Sequence, residues 1–173
     1  MKLERWKNQA REATEENKKY KLRCGEILRL GFAAESQLEY FIRDYFDTKE
    51  HSKAIQLHYW IIAKMSFERK IQILEKICKE NKIDKEKSRK ISKAIRFVQE
   101  KRNMVAHQQP FIPDTRNLKI FMHPKAEAWS DKDMTEINDK RVAEVGKMHG
   151  EIAILLRKIS KDLKSKKDFD VIN

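Results

Sequence analysis

The stretch from Glu26 to Phe46 reads EILRLGFAAESQLEYFIRDYF and predicts the class of fold. Its apolar side chains recur every three or four residues, which is the spacing of one face of an α-helix. The members of this stripe are Ile27, Leu30, Ala34, Leu38, Phe41, Ile42 and Tyr45. A stripe of this width buries one side of a helix against its neighbours. We therefore expect a core helix here, preceded by a sparser surface helix that ends near Gly25.

Glycine and proline, the residues that interrupt helices, are scarce. Four glycines and three prolines occur in 173 residues, and neither type lies between Phe32 and Gln109. This distribution is typical of long helices. Periodic apolar residues predict further helices at 55–65, at 67–80 and from about 85 to a point before Pro110, and a last one that begins between Ser130 and Asn138. Ser66 and Asp84 are suited to cap two of them.

Residues 111–124 follow a different pattern. Leu118, Ile120 and Met122 alternate with other side chains after a turn-like segment, which favours a short hairpin or extended loop. The predicted fold is therefore all-α, a bundle of about five helices with a β-hairpin-like insertion at 110–129. We expect one domain over residues 1–173, with an N-terminal surface helix at 1–24 and a frayed lysine-rich tail at 166–173.

Several protein classes are disfavoured by composition. No apolar run approaches the roughly 18 residues of a membrane span, and the charged N-terminus does not resemble a signal peptide, so we expect a cytoplasmic protein without a membrane partner. Cys24 and Cys78 form no CxxC pair and are expected to be buried thiols. His51, His123 and His149 lack acidic or cysteine partners at ligand spacing. We therefore predict no metal site and no cofactor.

The net charge of +12 is concentrated in the middle of the chain. Residues 51–130 carry eighteen basic and eight acidic side chains, and the stretch from Lys76 to Arg102 alone has a net charge of +7. Such a field attracts polyanions, of which nucleic acid is the commonest, although a solvated helix face has the same composition. The side chains predicted to contact RNA phosphates are Lys87, Arg89, Lys90, Lys93 and Arg96.

Aromatic residues are a second candidate for nucleic-acid contact. Trp6, Trp60, Trp129, Phe111 and Phe121 could stack on bases. Their positions are scattered and do not coincide with the basic run, which favours core and interface anchors.

The distinctive local motif is KRNMVAH, from Lys101 to His107, which has the form R-N-x-x-x-H. On an ideal helix Asn103 and His107 lie about 40° apart, whereas Arg102 and His107 lie about 140° apart. One straight helix cannot aim Arg102 and His107 at the same small group. They converge if the helix loosens at its last turn, or if a second copy of the chain contributes across a two-fold axis.

These residue types suit RNA cleavage by the adjacent ribose 2′-hydroxyl. That reaction needs a base for the hydroxyl, an acid for the leaving 5′-oxygen and positive charge for the phosphorane oxygens. Histidine can supply the first two roles and arginine the third. Because one histidine cannot serve as base and acid in the same turnover, two chains that each contribute Arg102 and His107 would complete the set. Asn103 would orient His107 or donate to a phosphate oxygen.

The segment Arg102-Asn103-Met104-Val105-Ala106-His107 resembles the R-x(4–6)-H signature of the HEPN (higher eukaryotes and prokaryotes nucleotide-binding) family. The resemblance extends over roughly residues 26–165, but only this motif is specific. It implies a homodimeric helical bundle with metal-independent endoribonuclease activity on single-stranded RNA. It also implies a role in toxin–antitoxin or antiphage systems, with an antitoxin or defence protein as partner. Many members have an aromatic residue two positions after the histidine, where this chain has Gln109.

Other interpretations remain open. A non-catalytic HEPN-like helical protein that binds RNA or a protein partner is the main alternative, and a DNA-binding module is a weaker one because no recognition-helix motif is present. In the non-catalytic case Arg102 and His107 are structural. Glu35 falls inside an apolar helical arc, so it either pairs with Arg102 or Asn103 and supports the site, or reaches solvent at the edge of the stripe.

Overall fold

In a computed structural model of the protein, the described residues are 2–46, 51–107, 109–111, 121–123 and 135–170. Five α-helices lie within these ranges: α1 (Lys2–Tyr45), α2 (His51–Trp60), α3 (Phe67–Glu80), α4 (Lys85–His107) and α5 (Asp139–Asp170). A short 3-10 helix (Ile62–Lys64) precedes α3. The prediction of an all-α protein is confirmed, while the assignment to a HEPN-like bundle stays a prediction.

The two N-terminal helices predicted from the sequence are one helix of 44 residues. The predicted break at Gly25 is wrong, because a single glycine costs a helix only about 1 kcal/mol relative to alanine, which its neighbours offset. Buried residues on both sides of Gly25, Tyr20 before it and Ile27 after it, support the continuous helix. Tyr20 is buried, and the Arg23 guanidinium donates to Asp139 (Nε to Oδ1, 2.8 Å) and to Glu16 (Nη1 to Oε1, 2.8 Å).

The predicted helix caps are confirmed. Ser66 Oγ accepts a hydrogen bond from the backbone N–H of Arg69 (3.2 Å) at the start of α3, and Asp84 Oδ1 accepts one from Lys87 (2.8 Å) at the start of α4. Each cap satisfies a backbone donor that the helix itself leaves unpaired. The helix expected at 55–65 is displaced, since α2 spans His51–Trp60 and the chain then tightens into the 3-10 helix.

Three short antiparallel strands lie between α4 and α5 in the chain: β1 (Gln109–Phe111), β2 (Phe121–His123) and β3 (Thr135–Glu136), in the order β1-β2-β3. Phe111 pairs with Phe121 and Met122 with Thr135. Most of the insertion predicted at 110–129 falls outside the described residues. The last helix begins at Asp139 and continues through 166–170, where a frayed tail was predicted.

The chain divides into two compact units, each assembled from distant segments. That these units form one domain stays a prediction. Unit 1 comprises 1–30 and 100–146, and unit 2 comprises 31–99 and 147–173. The core of unit 1 contains Tyr20, Ile27, Leu30, Met104, Ile137 and Val145. The core of unit 2 is larger and includes Leu38, Ile42, Ile62, Ile71, Leu74, Ile77, Ile91, Ile95, Val98, Ile152 and Ile159. None of the described helices has the length and apolar character needed to cross a membrane.

Candidate functional site

The R-N-x-x-x-H motif occupies the last turns of α4, in unit 1. Two neighbours on this helix, Lys101 and Met104, are buried and set which side of the helix faces inward. As a result Arg102 and Asn103 are half-buried beside that inward side, and His107 is exposed at the end of the helix. An exposed imidazole can meet a substrate, which a buried one could not.

Arg102 and Asn103 lie in contact. Arg102 Nη1 donates a hydrogen bond to Asn103 Oδ1 at 3.3 Å, so the carboxamide helps to orient the guanidinium. The role predicted for Asn103 from the sequence, orienting His107 or donating to a phosphate oxygen, stays a prediction.

The helix remains regular up to His107. Arg102 and His107 therefore stand about 140° apart around its axis, and the alternative in which the last turn loosens to bring them together is wrong. Within one chain the two side chains point in different directions. A site shared with a second copy of the chain stays a prediction.

The five basic residues predicted to contact RNA differ in their surroundings. Lys87 Nζ lies 2.5 Å from Asp162 Oδ2, Lys90 Nζ lies 2.7 Å from Glu86 Oε1, and Arg96 contacts both Glu68 (2.6 Å) and Glu75 (3.3 Å). Arg89 and Lys93 are exposed and have no ion pair among the residues that the structure describes. Much of the basic run is therefore neutralised locally, and Arg89 and Lys93 are the better candidates for phosphate contact.

A pocket of about 550 Å³ lies between α4 and α5 in unit 2. Lys90, Lys93 and Glu151 are its charged lining, and the apolar lining consists of Ala94, Phe97, Met148, Ile154 and Leu155. The charges of opposite sign leave the pocket without a clear preference for an anionic or a cationic ligand.

Glu35 belongs to a buried cluster that the sequence did not predict. Lys70 is only 1% exposed, and its Nζ donates to Glu35 Oε1 (2.6 Å) and to Glu39 Oε1 (2.5 Å). Lys70 thus supplies the partner that a carboxylate inside an apolar arc needs. Glu35 Oε1 accepts from Lys70, whereas the sequence predicted Arg102 or Asn103 as the partner of Glu35. Lys70 lies among Phe67, Ile71 and Leu74 on the buried side of α3, and this position in the helical pattern could have predicted its burial from the sequence.

His58 connects this cluster to the surface of α2. Its Nε2 lies 3.8 Å from Glu39 Oε2, and its ring stacks on Tyr40 with 5.6 Å between centroids. His58 therefore packs against protein on both of these sides. Trp60 is exposed, so the prediction of a core role for it is wrong, while a role at an interface stays open. The other predicted stacking residues lie outside the described side chains.

The remaining candidate nucleophiles and metal ligands are the two cysteines and His149. Cys78 is buried and Cys24 is half-buried, both as free thiols, and burial raises the pKa of each. A raised pKa lowers the thiolate fraction and so the reactivity of a cysteine. His149 Nε2 lies 3.1 Å from Gln37 Nε2. Among the described residues, no three His, Cys, Asp or Glu side chains are grouped as ligands of a metal ion.

Comparison with known proteins adds no relative. No protein-family model, curated protein or solved structure matches the chain. The resemblance to the HEPN family therefore depends on the R-x(4)-H motif and its helical context.

Proposed function

We propose that the protein is a HEPN-type, metal-independent endoribonuclease that cleaves single-stranded RNA at a site formed by two copies of the chain. The observation that carries the proposal is the exposed imidazole of His107 at the end of α4, just over one turn after the hydrogen-bonded pair of Arg102 and Asn103. Histidine exchanges protons near neutral pH, and arginine binds phosphate oxygens with a fixed positive charge. The divergence of Arg102 and His107 supports the need for two chains.

In the proposed reaction, His107 of one chain accepts the proton of the ribose 2′-hydroxyl. The 2′-oxygen attacks the adjacent phosphorus, and the bond from phosphorus to the 5′-oxygen breaks. His107 of the other chain gives a proton to that 5′-oxygen. Arg102 donates to the non-bridging oxygens, whose negative charge increases in the transition state. The products are a 2′,3′-cyclic phosphate end and a 5′-hydroxyl end.

The product ends provide the decisive test. The purified protein is incubated with end-labelled single-stranded RNA in excess EDTA, and the fragments are analysed by mass spectrometry. We expect 2′,3′-cyclic phosphates and no loss of rate with the chelator. A complete dependence on divalent metal, or 3′-hydroxyl ends, would contradict the mechanism.

A mixing experiment tests the two-chain site. If wild-type and His107→Ala chains are unfolded together in equal amounts and refolded, random pairing gives about one quarter of dimers with two histidines. We expect the cleavage rate to fall to about a quarter of that of the same total amount of wild-type protein. Sites that need only one chain would retain half. A mixture of separately refolded proteins, assayed before exchange, is the control.

Phosphate contacts are tested by the salt dependence of RNA binding, measured in the His107→Ala background so that the RNA stays intact. Each phosphate contact to a single strand contributes about 0.7 to the slope of log K against log salt. Loss of Arg89 and Lys93 together should therefore reduce that slope by about 1.4. The matched double variant Lys87→Ala/Arg96→Ala should change it less, because both side chains already bind carboxylates. Equal effects would show that the local ion pairs do not decide which cations meet RNA.

The alternative is a non-catalytic helical protein that binds RNA or a protein partner, such as an antitoxin or a defence component. The neutralised cations of α4 favour it, because they weaken the case for an extended RNA-binding surface there. A folded protein that binds RNA without cutting it would support this alternative.

A further inference from the structure

The outer side of α2 carries two exposed aromatic rings. Tyr59 is 65% exposed and Trp60 is 66% exposed. Aromatic side chains ordinarily bury most of their large surface inside a fold or against a partner. These two rings lie instead where a molecule from outside the chain can reach them. Trp60 is also one of the residues that the sequence marks as able to stack on bases.

Helical spacing arranges the exposed side chains of α2 in two rows. Each row follows the spacing i, i+3, i+7, which places its members on one side of a helix. The exposed residues described on α2, which we call the α2 face, are Ser52, Ile55 and Tyr59 in one row and Lys53, Gln56 and Trp60 in the other. Ala54 is buried on the opposite side. Each row therefore begins with a polar group and ends with an aromatic ring.

The two rings differ in what holds them. Tyr59 meets the ring of His58 edge-on, with 5.2 Å between centroids, and His58 is itself mostly buried beside Glu39. A ring that is already ordered loses little conformational entropy when a ligand binds. Trp60 is not in contact with another ring among the described residues, so the faces of its indole are open to a stacking partner.

The charge around the α2 face suits an anionic ligand. Residues 51–130, which include α2, carry eighteen basic and eight acidic side chains. The sixteen residues from Ser52 to Phe67 contain two lysines, Lys53 and Lys64, and no aspartate or glutamate. Both lysines are exposed, one before the two rings in the chain and one after them. A phosphate backbone that passes over this segment meets cations and no carboxylate of the segment.

Single-stranded RNA combines the groups that this surface can bind. Its unpaired bases present flat faces, which stack on tyrosine and tryptophan with little regard to sequence. Its phosphates pair with lysine, and the Ser52 hydroxyl and the Gln56 carboxamide can both donate to and accept from ribose and base edges. A duplex lacks the first of these features, because its bases are already stacked on each other. The α2 face therefore fits a single strand.

Other ligands match the α2 face less well. A helix that lies in a membrane surface needs a continuous apolar side, whereas insertion of α2 would bury the Gln56 carboxamide and the Lys53 ammonium between its rings. A second copy of the chain brings its own net charge of +12 and is repelled. In α4, by contrast, Lys87, Lys90 and Arg96 already contact carboxylates, so RNA needs further contacts elsewhere on the protein.

We propose that the α2 face binds single-stranded RNA, with Tyr59 and Trp60 stacking on bases and Lys53 and Lys64 contacting phosphates. The inference deepens the proposed function and rests on it for RNA as the ligand. The α2 face belongs to unit 2, whereas the motif from Arg102 to His107 belongs to unit 1. Binding at α2 is therefore measured separately from cleavage.

The first experiment reads the surroundings of Trp60 directly. In a His107→Ala/Trp6→Phe/Trp129→Phe protein, Trp60 is the only tryptophan and the RNA stays intact. We expect a short oligouridine, added at low salt, to quench the Trp60 emission in a saturable way. An abasic oligomer with the same number of phosphates, and duplex RNA, should leave the emission nearly unchanged. Equal quenching by the abasic oligomer would overturn the inference, because it would show that no base stacks on the ring.

The second experiment separates the rings from the charges. In the His107→Ala background, Trp60→Leu and Tyr59→Leu remove a ring but keep an apolar side chain. Each should raise the Kd for oligouridine by about 5- to 100-fold, without changing the slope of log K against log salt. Lys53→Gln/Lys64→Gln should instead reduce that slope by about 1.4, since each phosphate contact to a single strand contributes about 0.7.

The control variant is Phe32→Leu, which removes another exposed aromatic ring, 53% exposed, from α1 outside the α2 face. It should leave both the Kd and the salt slope unchanged, and circular dichroism checks that all variants fold. An oligouridine affinity that neither leucine variant changes would overturn the inference and favour a protein as the partner of α2. An emission change caused by phosphatidylglycerol vesicles or by rising protein concentration, but not by oligouridine, would overturn it as well.

These outcomes are separable from those of the nuclease assay. Base-dependent binding at α2 by a protein that never cuts RNA supports the inference and contradicts the proposed function. RNA cleavage by a protein whose RNA affinity does not depend on Tyr59 and Trp60 does the reverse.

Discussion

Replacing His107 with alanine should reduce the rate of RNA cleavage by about 10³-fold or more. General acid–base groups contribute about 10²–10⁴ each, and in the proposed homodimer one substitution removes both the base and the acid. His107 is exposed at the end of α4, so its loss should leave the free energy of unfolding nearly unchanged. Single-turnover cleavage of end-labelled RNA measures the effect, and circular dichroism checks the fold.

Arg102→Ala should lower the same rate by about 10²–10³, because the transition state loses a charged donor. Arg102→Lys should recover only part of it, since an ammonium group lacks the planar fork of the guanidinium. Arg157→Ala on α5 and His149→Ala are the matched controls, and both should retain cleavage. If His107→Ala cleaves at the wild-type rate, the assignment of His107 is wrong and the non-catalytic interpretation takes its place.

The second large effect concerns stability. Lys70→Met should lower the free energy of unfolding by about 3–5 kcal/mol, because it leaves the carboxylates of Glu35 and Glu39 in a mostly buried position without their cation. For a chain of this length that loss corresponds to a Tm lower by roughly 10 °C. Urea unfolding followed by circular dichroism measures it. Lys64→Met, at an exposed position, is the matched control and should change stability by less than about 0.5 kcal/mol.

A compensating variant separates the loss of the ion pairs from the loss of packing. Lys70→Met/Glu35→Gln/Glu39→Gln removes both partners' charges together with that of Lys70. Replacing all members of a buried ion cluster is often nearly neutral, so most of the lost stability should return. If the triple variant is as unstable as Lys70→Met, the cost comes from packing of the lysine stem and not from unpaired carboxylates.

The local features of the fold were predictable from the sequence because their causes lie within a few residues. The apolar stripe of Glu26–Phe46, the caps at Ser66 and Asp84, and the end of α4 before Pro110 all follow from helix geometry and backbone donors. The same holds for the motif from Arg102 to His107, because the angle between these two side chains around the helix axis depends only on their spacing along one helix. Gly25 was misjudged because the helix-breaking tendency of one residue is smaller than the combined preference of its neighbours and the contacts of Tyr20 and Arg23.

Only the tertiary structure decided which side chains meet and which remain exposed. Lys70 lies 35 residues from Glu35 in the chain, and no local pattern pairs them. Arg96 and Lys87 are paired with Glu68 and Asp162, which lie 28 and 75 residues away in the chain. The positive charge of α4 is therefore partly neutralised in the fold. Trp60 was predicted to anchor the core or an interface, but its side chain is exposed. Ala54 is the residue of α2 that is buried. The sequence alone determined the helices and the chemistry each can present, while burial and ion pairing depend on distances between segments that only the folded chain brings together.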